Sequence, residues 1–311
     1  MKLRLIALVG FIFLVFGFVI AIRLRSGSTK KCSSKINVLC TTSMITDVVK
    51  AIGGEWICVK GLMGPGVDPH LYRARESDVR ALTHADIIFY NGLHLEGKMT
   101  DIFSKMRSKV KTVAVTDIIK QDQLINSQFD GIYDPHIWHD VQLWIAVSEY
   151  IKDVLSLVDP MHKNYYKKRA LSYIKQLHDL NSYVEEQVKK IPQKQRIMVT
   201  AHDAFSYFGR TYDVTVIGLQ GINTDSEVST KDIQNLVEYI VDHKIPAIFV
   251  ESSIPQRNIQ AVQKAVRARG WQVEIGPELF SDALGDYSSA AGTYIGMIRH
   301  NIDALVSVLA K

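Results

Sequence analysis

From Met161 to Ile191 the chain runs 31 residues without glycine or proline, and no other feature limits its fold as much. Glycine and proline weaken helix interiors by about 1 and about 3 kcal/mol, so their absence over this length predicts one continuous helix. Asp159 can cap it and Pro160 can take its first position. Pro192 ends it. At 1.5 Å per residue such a rod measures about 46 Å, too long for a single lobe. Its apolar residues Leu171, Ile174, Leu177, Leu180, Val184 and Val188 follow one face. That face could pair in a coiled-coil dimer or cover a lobe on either side. The place of the stretch in the chain favours the second.

Strand and helix patterns alternate on both sides of it. Before it, short apolar β-rich runs fall at 36–41, 56–63, 86–90 and 112–115, with helical patterns at 44–52, 76–84 and 96–107. After it, strand runs fall at 196–201, 213–217, 246–250 and 271–275, with helical patterns at 231–243, 256–269 and 288–309. Short continuous apolar runs suit buried parallel strands, and the helices between them suit crossovers. The expected fold is therefore α/β: two Rossmann-like lobes with mostly parallel sheets, joined by one long connecting α-helix. The expected boundaries are 1–34 for a leader and linker, 35–158 for the first lobe, 159–192 for the connecting helix and 193–311 for the second lobe. A length of 311 residues agrees with about two domains of ~150 residues each.

A net charge of +5 at first suggests a nucleic-acid partner, but its distribution opposes that. Residues 1–31 hold Lys2, Arg4, Arg23, Arg25, Lys30 and Lys31 and no acid; without these six charges the remainder carries −1. Residues 5–22 are an unbroken apolar run of 18 after a basic start, the layout of an export signal. The run is also just long enough to span a bilayer. A cleaved signal and a retained membrane anchor both fit, and either places the rest of the chain outside the cytoplasm, in the periplasm or its equivalent. Cys32 follows Thr-Lys-Lys rather than an apolar stretch, which argues against lipidation there. Cys40 and Cys58 fall in two strand runs of one lobe; they could pair, since export permits oxidation, or remain reduced and buried.

No nucleotide-binding glycine fingerprint follows a strand, and Gly61-Leu62-Met63-Gly64-Pro65-Gly66 reads as a turn. The histidines are more informative. Asp68-Pro69-His70 and Asp134-Pro135-His136 repeat one local pattern. Proline fixes its own φ and holds its predecessor extended, so each histidine is presented from a rigid turn. His202 directly follows a strand run, and ligands of open α/β sheets gather at the carboxyl ends of strands. Asp282 lies in the loop after the last strand run. Three imidazoles and one carboxylate suit Zn²⁺, Mn²⁺ or iron rather than Ca²⁺ or Mg²⁺.

These segments, taken with Asn91-Gly92-Leu93-His94-Leu95-Glu96, His202-Asp203-Ala204-Phe205, Gly218-Leu219-Gln220-Gly221-Ile222 and Ser281-Asp282-Ala283-Leu284-Gly285, resemble the metal-binding solute-binding proteins of ABC importers for zinc, manganese and iron. The resemblance runs from about Asn37 to the C-terminus. It implies two lobes bridged by one long helix, with the metal in the cleft on His70, His136, His202 and Asp282. It also implies a cognate ABC permease in the inner membrane as partner. A monomer is expected. His139 reads as a bystander or a group supporting the site. Glu251, at the end of a strand run, could orient a ligand imidazole or cap the helix after Pro255. Residues 116–133 lack the histidine-rich loop common in dedicated zinc binders, which leaves manganese and iron open. A zinc-dependent hydrolase is the alternative, yet catalytic zinc keeps an open position and no His-Glu-x-x-His helix is present. A surface adhesin that also binds metal finds no repeats or low-complexity tract to support it.

Overall fold

The computed structural model describes residues 35–127 and 132–311. The leader and its cleavage or retention lie outside the described residues. Among those described, no helix is long and apolar enough to cross a membrane.

Strands β1 (Ile36–Cys40), β2 (Ile57–Gly61), β3 (Ile87–Tyr90) and β4 (Lys111–Ala114) form a parallel sheet in the order β2-β1-β3-β4. Every residue of β3 is buried, as a continuous apolar run at the centre of a covered sheet requires. The crossovers carry helices α1 (Ser43–Gly53), α2 (Glu76–Thr83) and α3 (Thr100–Met106). Beyond the long helix, β5 (Ile197–His202) pairs with β6 (Thr215–Gln220), and β7 (Ala247–Ile248) with β8 (Glu274–Ile275), all parallel. The Phe249 N–H donates to the Val199 carbonyl at 2.8 Å and ties the two pairs together. The resulting order, β6-β5-β7-β8, repeats that of the first sheet. In each sheet the chain leaves the second strand of the order on both sides, which opens a crevice at the carboxyl ends. Helices α6 (Ser206–Tyr212), α7 (Thr230–Asp242) and α8 (Arg257–Ala268) belong to this second set. The last two strands are shorter than the apolar runs at 246–250 and 271–275.

The long helix is shorter than its sequence signal. Pro160–His162 is a 3₁₀ turn, and α5 proper spans Lys163–Val188, 26 residues or about 39 Å. Asp159 offers no side-chain cap to the backbone; its carboxylate accepts instead from His162 Nδ1 and the Tyr166 hydroxyl, each at 2.6 Å. The buried stripe is Tyr166, Ala170, Tyr173, Leu177, Leu180, Val184 and Val188, at intervals of three and four. Leu171, expected on this stripe, is 61% exposed, because one residue past Ala170 is a rotation of about 100°.

The stripe packs against α1 and against α4 (Val141–Val158), an 18-residue helix that the sequence-based expectations do not include. Asp140 caps α4, accepting from the N–H groups of Gln142 and Leu143 at 2.8 and 3.3 Å. The C-terminal helix α9 (Tyr294–Leu309) also lies on α5 and reaches the first lobe, where the Tyr294 N–H donates to Asp47 Oδ2 at 3.0 Å. One apolar core therefore runs from Val38 and Phe89 through Leu177 to Phe205 and Met297. The face that could have paired in a coiled coil is occupied within the chain.

The Cys40–Cys58 pairing is not made. In the β1–β2 register Cys40 stands opposite Gly61, and Cys58 opposite Asn37. A three-residue offset is about 10 Å along a strand, beyond the ~7 Å Cα separation a disulfide tolerates. Cys40 is a free buried thiol, and Cys58 is itself disulfide-bonded.

The stripe assignment has a direct consequence. Leu177→Ala should cost about 2–5 kcal/mol in denaturant melts, whereas Leu171→Ala should stay within about 0.5 kcal/mol. Equal losses would contradict the observed face.

Candidate metal centre

The carboxyl ends of the two sheets meet. His70 lies in the loop after β2, His136 in the segment after β4, His202 is the last residue of β5, and Asp282 lies in the loop after β8. All four are buried, and one donor atom from each lies within 4.8 Å of the others. The Nε2 atoms of His70 and His136 are 3.2 Å apart. Asp282 Oδ2 is 3.2 Å from His202 Nε2 and 3.8 Å from His70 Nε2, and its Oδ1 is 3.5 Å from His136 Nε2.

Surrounding groups turn these donors inward. The carboxylate Oδ1 of Asp134 accepts from both the backbone N–H and Nδ1 of His136, at 2.9 and 2.7 Å. Glu251 Oε2 accepts from His202 Nδ1 at 2.6 Å, while its Oε1 accepts from the N–H groups of Ala201 and His202 at 2.7 and 3.0 Å. A proton held on Nδ1 by a carboxylate leaves the lone pair on Nε2, which is what a metal needs. The geometry therefore gives Glu251 a place against the His202 ring rather than on the following helix. His139 lies outside the cluster: its Nε2 donates to the Ser281 carbonyl at 3.1 Å, beside Trp138 Nε1 at 2.8 Å. Both rings thereby hold the residue next to Asp282.

Electrostatics follow from burial. Desolvation lowers the pKa of His70 to about 3, which keeps its imidazole neutral. Burial does the same to His139, also to about 3. For Asp282 burial alone would favour the neutral acid, but the imidazoles of His202, His136 and His70 hold it ionised far below the usual carboxylate range. Burial likewise opposes charge on His202, but the carboxylates of Glu251 and Asp282 prevail and raise its pKa well above 6.5. His202 Nε2 and both Asp282 oxygens find no hydrogen-bond partner. Buried polar atoms left unsatisfied are costly, and here they converge on one point. The set could hold one borderline transition-metal ion.

Sequence reasoning gave no role to Asp134 or Asp68. The repeated Asp-Pro-His pattern carried the signal: each aspartate accepts the N–H of its own histidine two residues on, Asp68 from His70 at 2.8 Å and Asp134 from His136 at 2.9 Å. His94, in the quoted Asn91–Glu96 motif, is exposed and stands apart from the cluster with a left-handed φ of 62°.

Two outcomes are expected. Glu251→Gln and Asp134→Asn should each weaken metal binding about 10- to 100-fold while keeping all four donors. In the metal-free protein at neutral pH His202 holds a proton that an ion must displace. About one proton should therefore be released per ion bound, read by calorimetry in buffers of different ionisation enthalpy. Binding without proton release would contradict this charge state.

Comparison with known proteins agrees with the architecture. Residues 38–308 match the family model for ZnuA, zinc-uptake complex component A periplasmic. The zinc-binding protein TroA of Treponema pallidum is 47% identical over 274 residues, covering 88% of this chain and 89% of TroA. The manganese-binding lipoprotein MntA of Bacillus subtilis is 41% identical, covering 90% and 92%. Among solved structures, the periplasmic zinc-binding protein TroA superposes with a TM-score of 0.88 over 89% of this chain and all of that one. Fe(III)-bound YtgA from Chlamydia trachomatis, at 25% identity, superposes with a TM-score of 0.80 over 88% and 97%. Sequence match and shared fold together show that the chain belongs to the ZnuA family of periplasmic metal-uptake components.

Proposed function

We propose that this protein captures one transition-metal ion (zinc, manganese or iron) outside the cytoplasm and delivers it to an ABC permease in the membrane. His70 and His136 of the first lobe, residues 35–158, and His202 and Asp282 of the second, residues 193–311, are the ligands in this reading. One observation carries it: four buried donors from both lobes converge within 4.8 Å of one another, and His202 Nε2 and both Asp282 oxygens have no hydrogen-bond partner. An ion placed there cross-links the lobes, so capture and closure are one event. The helix of residues 159–192, packed on both lobes, limits their relative motion to a small tilt.

The chain acts as a carrier and not as an enzyme. Four protein donors tend to close a coordination sphere, whereas catalytic zinc keeps a position open for water. A hydrolase also needs a free base, and Glu251, the carboxylate against His202, has both oxygens engaged. The protein acts as a monomer, its long helix having its apolar stripe within the fold. The leader of residues 1–34 directs export.

Metal must stabilise the native state. At a free concentration 100 times Kd the gain is about 2.7 kcal/mol, a rise of several degrees in Tm. His202→Ala should abolish the shift. A melt unmoved by Zn²⁺, Mn²⁺ and Fe²⁺ alike, with no metal retained, would overturn the proposal.

A further inference from the structure

The two Asp-Pro-His turns differ in one respect. Asp134 uses Oδ1 for both groups of His136 and leaves Oδ2 without a partner. Asp68 uses both oxygens: Oδ1 accepts the His70 N–H at 2.8 Å, and Oδ2 accepts the Thr224 hydroxyl at 2.7 Å. Thr224 belongs to the second lobe. A single carboxylate thus joins the backbone of a metal-site histidine to the opposite side of the cleft.

The surroundings of Thr224 give this bond a setting. Residues 221–228 form the segment between β6 and α7. Gln220 braces it from its own lobe, its amide donating to the carbonyls of Thr224, at 2.9 Å, and Ser226. Asp225 next to Thr224 also reaches across, pairing with Lys98 of the first lobe at 2.5 Å. Beside it lies a cavity of about 490 Å³ walled by Gly218–Asn223 and Ser226–Val228 on one side and by Leu93, His94 and Pro135 on the other. Of the four metal-site residues, His70 alone lines it. His70 is also the most exposed of the four, at 4% against 0–1%.

We propose that the ion reaches and leaves the centre past His70, and that the Asp68–Thr224 hydrogen bond is the clasp that sets how fast it leaves. The inference rests on the metal-carrier reading. Asp68 is an acceptor at both oxygens, and hydrogen bonds to a carboxylate are the stronger kind. While the bond holds, it fixes the His70 turn and keeps residues 221–228 over the cavity. When it breaks, one motion frees the His70 turn and uncovers the route. Asp68 and Thr224 are positioning residues: neither supplies a donor to the cluster.

The test uses the full chain loaded with Zn²⁺ and challenged with excess chelator in a stopped-flow instrument. Thr224→Val keeps the branched shape and removes the hydroxyl. It should speed metal release about tenfold while one ion per chain still binds. Thr224→Ser, which restores the hydroxyl, should release at the wild-type rate. So should Ser226→Ala, a change in the same segment that removes no contact across the cleft. Wild-type release from Thr224→Val, with stoichiometry kept at one, would overturn the clasp and leave the carrier reading intact. A wild-type chain that retains no Zn²⁺, Mn²⁺ or iron would overturn the carrier reading itself, and the clasp with it.

Discussion

Four polar side chains, three of them imidazoles and one a carboxylate, occupy a space almost closed to water. Burying such groups costs several kcal/mol unless each finds a partner. Asp282 receives its compensation from His202, His136 and His70, which hold it ionised. His202 receives it from Glu251, and His136 from Asp134. The remaining unsatisfied atoms all point inward. The fold around them can be understood as the scaffold that makes this concentration of donors tolerable when empty and favourable when a cation fills it.

That scaffold is built by repetition. A four-stranded sheet and two strand pairs tied by the Phe249–Val199 hydrogen bond turn their carboxyl ends towards each other, so the loops that carry the histidines and Asp282 converge without long excursions. Rigid turns do the rest: proline at 69 and 135 restricts the backbone, and an aspartate before each holds the N–H of its histidine. The linking helix α5 is no free rod. Its stripe is closed by α1, α4 and α9, which makes the interior of the two lobes continuous. A core shared in this way permits tilt but resists wide separation, a constraint suited to a site whose donors come from both sides.

Much of this was legible in the residues. Alternating apolar runs and helical periods located both sheets, because a buried parallel strand must be apolar throughout. The absence of Gly and Pro marked α5, although its first turn tightened to 3₁₀ at Pro160 and shortened the regular helix to Lys163–Val188. His70, His136 and His202 could be singled out because each sits at a rigid turn or a strand end, whereas Asp282, a loop residue, gained weight only from those three. Two further features were legible in the helical period. The helix α4 places its buried residues Trp144, Val147, Ile151 and Leu155 at intervals of three and four, with Glu149, Lys152 and Asp153 on the other side. Leu171 falls off the stripe by the helix period itself, about 100° round from Ala170. The Cys40–Cys58 pair failed on register, which strand propensity does not contain.

The sequence by itself determined the local chemistry: which segments become strands or helices, which turns are stiff, and which side chains can bind a metal. These follow from propensities and spacings within a few residues. Only the tertiary structure decided which groups meet. Glu251 faces His202 across 49 residues, His139 reaches Ser281 across 142, and Asp68 grips Thr224 across 156. Such contacts depend on how two sheets pack and in what register, and no local pattern encodes that.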